Sequence, residues 1–412
     1  MKQYNSYKDS GVKWIGEMPY SWVTKKLKYL AETVSEIGLN GVKIGLENIE
    51  SKTGNFVHTD SEYDGIGQIV HKDDIVYGKL RPYLCKAWKA EFECNAVGDF
   101  YVFRCNHLCD SSFIQKVLVS NQFNAVCTAA TYGTKMPRVS LDFINSIFIP
   151  IPSLPEQQAI ADFLDGKCAE IDGLLADLDA EVKTLAEYKK SIFAETVTRG
   201  LNPNVPMKQS GIPWAETIPE HWKIDKGKYY FELRRTKGNP HNLELMSPTQ
   251  KFGVIPQSQL EGVVLVKEKT DLNSFRTIRP GDFCISLRSF QGGFEYSRYE
   301  GVVSPAYQVF YPIKPIVDGY FKYMFKSDGF ISYINTFSMS LRDGKNIPFE
   351  DFGNSYIPIP PDEEQEAIAT YLDEKCAAID QAISDKQTQI ETLKSYRASL
   401  IYEYVTGKKQ VI

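Results

Sequence analysis

Apolar residues recur at Leu164, Cys168, Ile171, Leu175, Leu178, Val182, Leu185 and Ile192, alternating steps of three and four. That period predicts a long helix with a continuous coiled-coil seam. A second stretch repeats it at Leu372, Cys376, Ile379, Ile383, Ile390, Leu393 and Leu400, with Lys386 and Arg397 interrupting. The two are copies of one segment. Ile149-Pro150-Ile151-Pro152 reappears as Ile357-Pro358-Ile359-Pro360, and a constant shift of 208 carries Lys167-Cys168-Ala169 onto Lys375-Cys376-Ala377 and Tyr188 onto Tyr396. The proline ends an extended segment before each helix. Ser153 with Glu156, and Asp362 with Gln365, have the form of capping boxes. Two such helices most simply bury their seams against each other; the alternative packs each separately on its own domain.

A shorter repeat marks where each half begins. Ser10-Gly11-Val12-Lys13-Trp14 leads to Pro19 and Trp22, and Ser210-Gly211-Ile212-Pro213-Trp214 leads to Pro219 and Trp222, at a shift of 200. The second block follows the first long helix directly. By symmetry the first should lie where the second helix ends, bringing the termini together, with the four tryptophans as buried anchors.

Between these blocks the pattern is mixed. Asp74 to Tyr83 reads as a strand running into a tight basic loop, Phe100 to Arg104 as a strand and Phe113 to Val126 as a helix. The other half echoes this with Gly281 to Arg288, Tyr307 to Phe310 and a helix near Tyr320 to Ile334. The expected fold is α+β. Two globular mixed α/β domains, 1–148 (with the opening segment 1–22) and 201–356 (with the linker 201–222), are separated by antiparallel coiled-coil helices at 149–200 and 357–412 in a pseudo-twofold tandem repeat.

Bulk numbers add boundaries. The 412 residues are 43% hydrophobic and 24% charged, and no apolar run approaches the roughly 20 residues of a membrane span. The Met1–Ser6 segment has no signal-peptide core and the eight cysteines are scattered, which fits a cytoplasmic protein with reduced thiols. Net charge is −5, but the acid is concentrated in the helices: 149–200 holds 5 Lys+Arg against 10 Asp+Glu, and 357–412 holds 6 against 10. The regions between are neutral to mildly basic, so a locally positive nucleic-acid face stays open.

Catalytic patterns are missing. There is no G-x-x-x-x-G-K-[ST], no H-E-x-x-H, no G-x-S-x-G and no Asn/Asp-Pro-Pro-aromatic run of an adenine methyltransferase. Cys105 to Cys109, with Cys85 and Cys94, fits no zinc spacing and has no counterpart in the other half, so no metal site is expected.

The paired Ile-Pro-Ile-Pro…Glu-Gln-x-Ala-Ile-Ala blocks, the paired Ser-Gly…Trp…Pro…Trp blocks and the aspartate-led strands at 74–83 and 282–288 resemble the specificity subunit of type I restriction–modification systems. The resemblance covers nearly the whole chain. It implies a non-catalytic subunit whose two target-recognition domains each read one half of a bipartite asymmetric site in double-stranded DNA, with the helices as ruler. It implies as partners two methylation subunits, using S-adenosylmethionine, and restriction (motor) subunits, using ATP and Mg²⁺; this chain itself would hold no cofactor. Candidate DNA contacts are Lys79, Arg81, Tyr83, Lys135 and Arg138 in the first domain, and Arg288, Gln291, Arg342, Lys345 and Asn346 in the second. Phe163, Phe193, Tyr371 and Ile401, flanking the seams, are candidate contacts for the methylation subunits. Two rival readings are a coiled-coil scaffold with no DNA role and a stand-alone DNA-modifying enzyme.

Overall fold

The isoleucines of each Ile-Pro-Ile-Pro run alternate into a core while the prolines occupy a two-stranded ribbon, the one sheet context that tolerates a missing backbone donor. Strand Phe148–Ile151 pairs antiparallel with Val23–Lys26, and strand Tyr356–Ile359 pairs in the same way with Lys223–Lys226. Each ribbon feeds a long helix, Leu154–Arg199 and Asp362–Val405. The computed structural model describes residues 3–238, 243–260, 272–337 and 347–411. They form two compact units, residues 1–179 with 387–412 and residues 180–386, so each long helix contributes half of its length to each unit.

In both units a half of one long helix runs antiparallel to a half of the other. In the first, Arg397 donates to Asp172 at 2.7 Å; in the second, Lys189 donates to Asp380 at 2.7 Å. These pairs are counterparts under the shift of 208. Lys386, also in the second unit, is held by Glu181. The two interruptions of the second seam, Lys386 and Arg397, are thus seam positions whose cations meet acids of the facing helix. Leu164, Cys168 and Ile171 are buried in the first unit; Ile192, Leu372, Cys376 and Ile379 are buried in the second.

The recognition portions share a four-stranded antiparallel sheet. Its order is Ala31–Thr33, Phe100–Cys105, Ile75–Gly78, Ala87–Lys89 in the first unit and Phe231–Leu233, Gln308–Pro312, Phe283–Ile285, Glu295–Tyr296 in the second. Beyond this frame they diverge. The first unit adds a further four-stranded sheet containing a parallel pair, Lys43–Ile44 with Cys94–Ala96. The second adds two separate two-stranded ribbons, Met246–Thr249 with Gly253–Pro256 and Arg276–Ile278 with Gly301–Val303.

Each helix expected between the sheet and the ribbon is in fact two. Ser111–Val119 stops at Ser120, whose extended backbone (ψ 141°) breaks the run and whose hydroxyl caps Asn121–Ala129. Asp318–Met324 and Asp328–Ile334 flank Ser327, whose backbone is likewise extended (ψ 141°) but whose hydroxyl donates back to Met324 O at 2.8 Å and does not cap the second helix. At Ser120 the capping hydroxyl overrides the helical period.

The capping boxes expected at the long helices are used otherwise. Gln157 is fully buried and ties three backbones together: its carbonyl accepts from Asp110 N at 2.8 Å, and its amide donates to the carbonyls of Pro152 and Leu108 at 3.0 and 3.2 Å. Gln365 repeats this with Val317 N and Pro360 O. The recurring glutamine therefore fastens each recognition helix to the start of a long helix. Glu156 accepts instead from the Tyr4 hydroxyl at 2.7 Å.

The expected meeting of the termini is present. Tyr7 donates to the Lys408 carbonyl, and Lys408 Nζ donates to Ile15 O at 2.9 Å. Both long helices end on a left-handed glycine packed on a tryptophan: Gly200 (φ +72°) lies against Trp222, and Gly407 (φ +73°) against Trp22. Glycine adopts this backbone at little cost. Among the described residues no helix is long and apolar enough to cross a membrane.

Candidate nucleic-acid interface

In the first unit, strand Ile75–Gly78 delivers the loop Lys79–Tyr83 against the loop Tyr132–Val139. Arg81 N donates to Pro137 O at 2.8 Å, and Val139 N donates to Lys79 O at 3.2 Å. Tyr132 and Arg138 exchange backbone hydrogen bonds, closing the second loop on itself. Arg81 has a left-handed backbone (φ +50°), a strained choice for a non-glycine residue, held by these bonds and by Leu84 N donating to its carbonyl. The fold thus brings all five candidates of this unit together, but they divide by role. Arg81, Tyr83 and Lys135 are exposed. Arg138 is committed: its guanidinium donates twice to Asp99, at 2.9 and 2.8 Å. Lys79 Nζ sits 3.9 Å from the same carboxylate and over the Tyr101 ring. The hydrogen bonds from Arg138 hold the Asp99 carboxyl below its usual range against the opposing effect of burial. Lys79 and Arg138 therefore brace the loops, and the free edge belongs to Arg81, Tyr83 and Lys135. Tyr132 and Met136 share that edge, exposed, and escaped the sequence reading because an aromatic or methionine in a loop carries no charge signal.

In the second unit, strand Phe283–Ile285 leads to Ser286, whose hydroxyl accepts from Arg288 N at 3.2 Å, and then to the short helix Ser289–Gly292. Arg288 and Gln291 are both exposed on it. Gly293 (φ +73°) follows, and any Cβ there would lie 1.8 Å from the Phe325 carbonyl, so the turn requires glycine. Arg342, Lys345 and Asn346 lie outside the described residues.

The candidates for contact with methylation subunits fare differently. Ile401 is 3% exposed and belongs to the first unit's core, so it offers no free apolar face; as the last turns of the helix carry the docked N-terminal block, its seam-flanking position is already covered. Phe163 packs on Tyr404 with ring centroids 4.6 Å apart, and Phe193 on Tyr323 at 5.1 Å, leaving both half-buried within their own units. Tyr371 is half-buried too. The tryptophans are anchors as expected: Trp22 and Trp222 are fully buried, and Trp14 and Trp214 meet Phe123 and Phe330 edge-on.

The profile of the family described as type I restriction modification DNA specificity domain matches residues 51–183 and 223–392, the greater part of both halves. The chain belongs to this family. Among curated members it is similar to a putative type I restriction enzyme MjaX specificity subunit from Methanocaldococcus jannaschii, 24% identical over 308 residues, covering 71% of this chain and 65% of the relative. It is similar as well to the type I restriction enzyme EcoDI specificity subunit from Escherichia coli, 26% identical over 201 residues, covering 46% of this chain and 45% of that one. The matches thus span less than two thirds of those relatives' own lengths. Among solved structures, a chain from work on complex assembly and conformational transition of the type I R-M system superposes with a TM-score of 0.69 at 17% identity, covering 94% of this chain and 98% of the other. The HsdS subunit from Thermoanaerobacter tengcongensis gives 0.53 at 17% identity, covering 95% and 98%. At these identities the structures speak for the fold.

Proposed function

We propose that this family member is the DNA-specificity subunit of a type I restriction–modification complex, with each unit reading one half of a bipartite asymmetric site. One observation carries the reading: the two units share a sheet, a glutamine fastening and a helix-end block, yet differ in the strands and loops that flank Arg81 and Arg288. A common frame bearing unlike exposed loops suits two readers of unlike sequences. Arg81 and Arg288 have the fork that reads guanine, Gln291 the amide that reads adenine, and Lys135 the point charge that suits phosphate. Tyr83 adds an exposed ring beside them. Arg342, Lys345 and Asn346 extend the proposal to the segment before the second ribbon. The chain does no chemistry itself: two methylation subunits supply adenine methylation, with Phe163, Phe193 and Tyr371 at the borders of their docking surfaces, and motor subunits complete the restriction complex in the cytoplasm.

Base-resolution mapping of methylated adenines in cells carrying the chain with its methylation subunits tests the reading. A split motif with two unlike halves is expected, with Arg288→Ala relaxing the second half alone. A single contiguous motif, or no motif, overturns it.

A further inference from the structure

The second unit contains a buried ion pair that its sister does without. Register aligns Trp88, paired with Val76 in the first unit, with Glu295, paired with Cys284 in the second. Trp88 and Glu295 are each 1% exposed. The same sheet position thus holds an indole in one unit and a carboxylate in the other. Lys326 Nζ meets that carboxylate at 2.5 Å. Replacing a buried ion pair by well-packed apolar groups is often neutral or stabilising, so the shared frame does not need this pair.

Its reach explains it better. The Lys326 ammonium donates also to Gly292 O at 2.8 Å, at the end of the short helix carrying Arg288 and Gln291, and to Gln250 O at 3.5 Å. Gln250 belongs to the tip between strands Met246–Thr249 and Gly253–Pro256. One cation with three donors therefore binds the sheet, the helix end and the hairpin tip together. The two segments are pressed close: a Cβ on Gly292 would lie 2.7 Å from Gln250 Cγ. At the tip Gln250, Lys251 and Phe252 all face solvent, Phe252 at 62% exposure with the Lys251 ammonium 5.1 Å from its ring centroid.

We propose that the Gln250–Phe252 tip is a second base-reading element of this unit, and that Lys326 is the positioning residue that fixes it beside Arg288 and Gln291. The inference rests on the DNA-specificity reading above. Gln250 brings an amide able to pair with adenine, Phe252 an apolar face for a thymine methyl, and Lys251 a phosphate contact. A reading constellation needs sub-ångström placement, and a buried cation bonded to both segments supplies it.

The test uses the full chain with its methylation subunits and a set of duplexes carrying each single base change across both half-sites. Gln250→Ala and Phe252→Ala should each lower discrimination about tenfold at one or two base pairs of the second half-site, distinct from those relaxed by Arg288→Ala. The paired exchange Glu295→Gln with Lys326→Met, which leaves no unpaired buried charge, should relax the positions read by the tip and by Arg288 together, with the first half-site unchanged. A merely structural pair would lower affinity for every sequence alike and leave the ratios between bases intact, which overturns the positioning role. Unaltered ratios in both tip variants overturn the reading role even if the paired exchange fails to fold. A parent chain without any sequence preference sinks the DNA reading, and this inference with it.

Discussion

Both units bury one aspartate at the start of the central strand, yet the arginine that satisfies it arrives from different places. In the first unit Arg104, on the neighbouring strand, donates twice to Asp74 at 2.9 and 2.8 Å. In the second, Arg234, one strand further out, donates twice to Asp282 at 2.7 Å. Register shows an exchange of positions: Val34 stands where Arg234 does, and Tyr311 stands where Arg104 does, with the Arg234 guanidinium stacked 4.4 Å from the Tyr311 ring centroid. The frame fixes the buried carboxylate and demands a fork-shaped donor. It does not fix which strand provides it. Duplicated folds diverge in this manner, keeping an electrostatic requirement while moving its solution.

Asp282→Ala should be the most damaging change, because it strands a guanidinium that is only 14% exposed; a loss of about 3–5 kcal/mol is expected. Asp74→Ala should cost less, since Arg104 is 31% exposed and can recover water. Hydrogen exchange of strands Phe283–Ile285 and Ile75–Gly78 checks both. The comparison sharpens further with Arg104→Tyr, which should destabilise the first unit alone, and with Val34→Arg added, which should restore much of the loss. No recovery in the double variant would show that the two arrangements are not equivalent.

The pair that replaces Trp88 gives the second unit a pH dependence its sister lacks. Burial pushes the Glu295 carboxyl up to about 7 despite Lys326 beside it. A carboxyl raised in the folded state contributes stability that is present at low pH and lost as pH rises, here between about 4.5 and 7. The second unit should therefore weaken across that window by up to about 3 kcal/mol. Glu295→Gln should flatten the slope, and the first unit's exchange rates should lack this component in both proteins.

The glycines that end the long helices differ in a smaller way. Alanine at either must adopt a left-handed backbone, at about 1 kcal/mol. A Cβ on Gly407 would also lie 2.3 Å from Pro19 Cδ, whereas one on Gly200 would meet Trp222 at 3.2 Å, a smaller clash that needs the indole to give by only a few tenths of an ångström. Gly407→Ala should thus cost about 2 kcal/mol and Gly200→Ala about 1. Melting of the docked block, followed by the fluorescence of Trp22 or Trp222, reads the difference; equal costs would mean that the N-terminal block yields where the linker block does not.

The repeat and its three-four seam made the helices, their pairing within each unit and the docking of the N-terminal block legible in the sequence, since long periodic patterns leave few alternatives. The breaks at Ser120 and Ser327 were not legible, because a serine inside an apolar run looks like an ordinary helix residue until its extended backbone is seen. Gln365 looked like part of a capping box and Gln157 like a neighbour of one, and only their burial reveals them as fastenings. At the interface, charge located Arg81, Lys135 and Arg288, and the base-reading amide located Gln291, but charge could not separate Arg138, whose partner Asp99 lies 39 positions away, from a free arginine. Phe252 and Tyr132 carry no signal at all in a sequence where exposed and buried aromatics read alike.

The smallest contrast lies in the seam itself. Asp172–Arg397 and Asp380–Lys189 occupy equivalent places, yet their cations differ in kind and in burial: the Arg397 side chain is buried against its neighbours, whereas Lys189 and its acid keep more water. A partly exposed lysine pair contributes at most about 1 kcal/mol, so Lys189→Met, which adds apolar surface to the seam, should be near neutral. Arg397→Met removes a guanidinium but leaves Asp172 beside an apolar seam, and should cost roughly 1–2 kcal/mol. Their value differs in another respect. A cation at a seam position that can face only one acid penalises every register but one, as a buried polar residue does in a coiled coil. Arg397→Met should therefore permit the helices of the first unit to slip. Cross-linking between cysteines placed at Phe163 and Tyr404, whose rings face each other across the two helices, in a background lacking native thiols and with either Arg or Met at 397, compared with pairs offset by one heptad, separates stability from register. If the offset pairs never form in a chain that keeps Lys189 but carries Met at 397, the apolar seam alone sets the alignment.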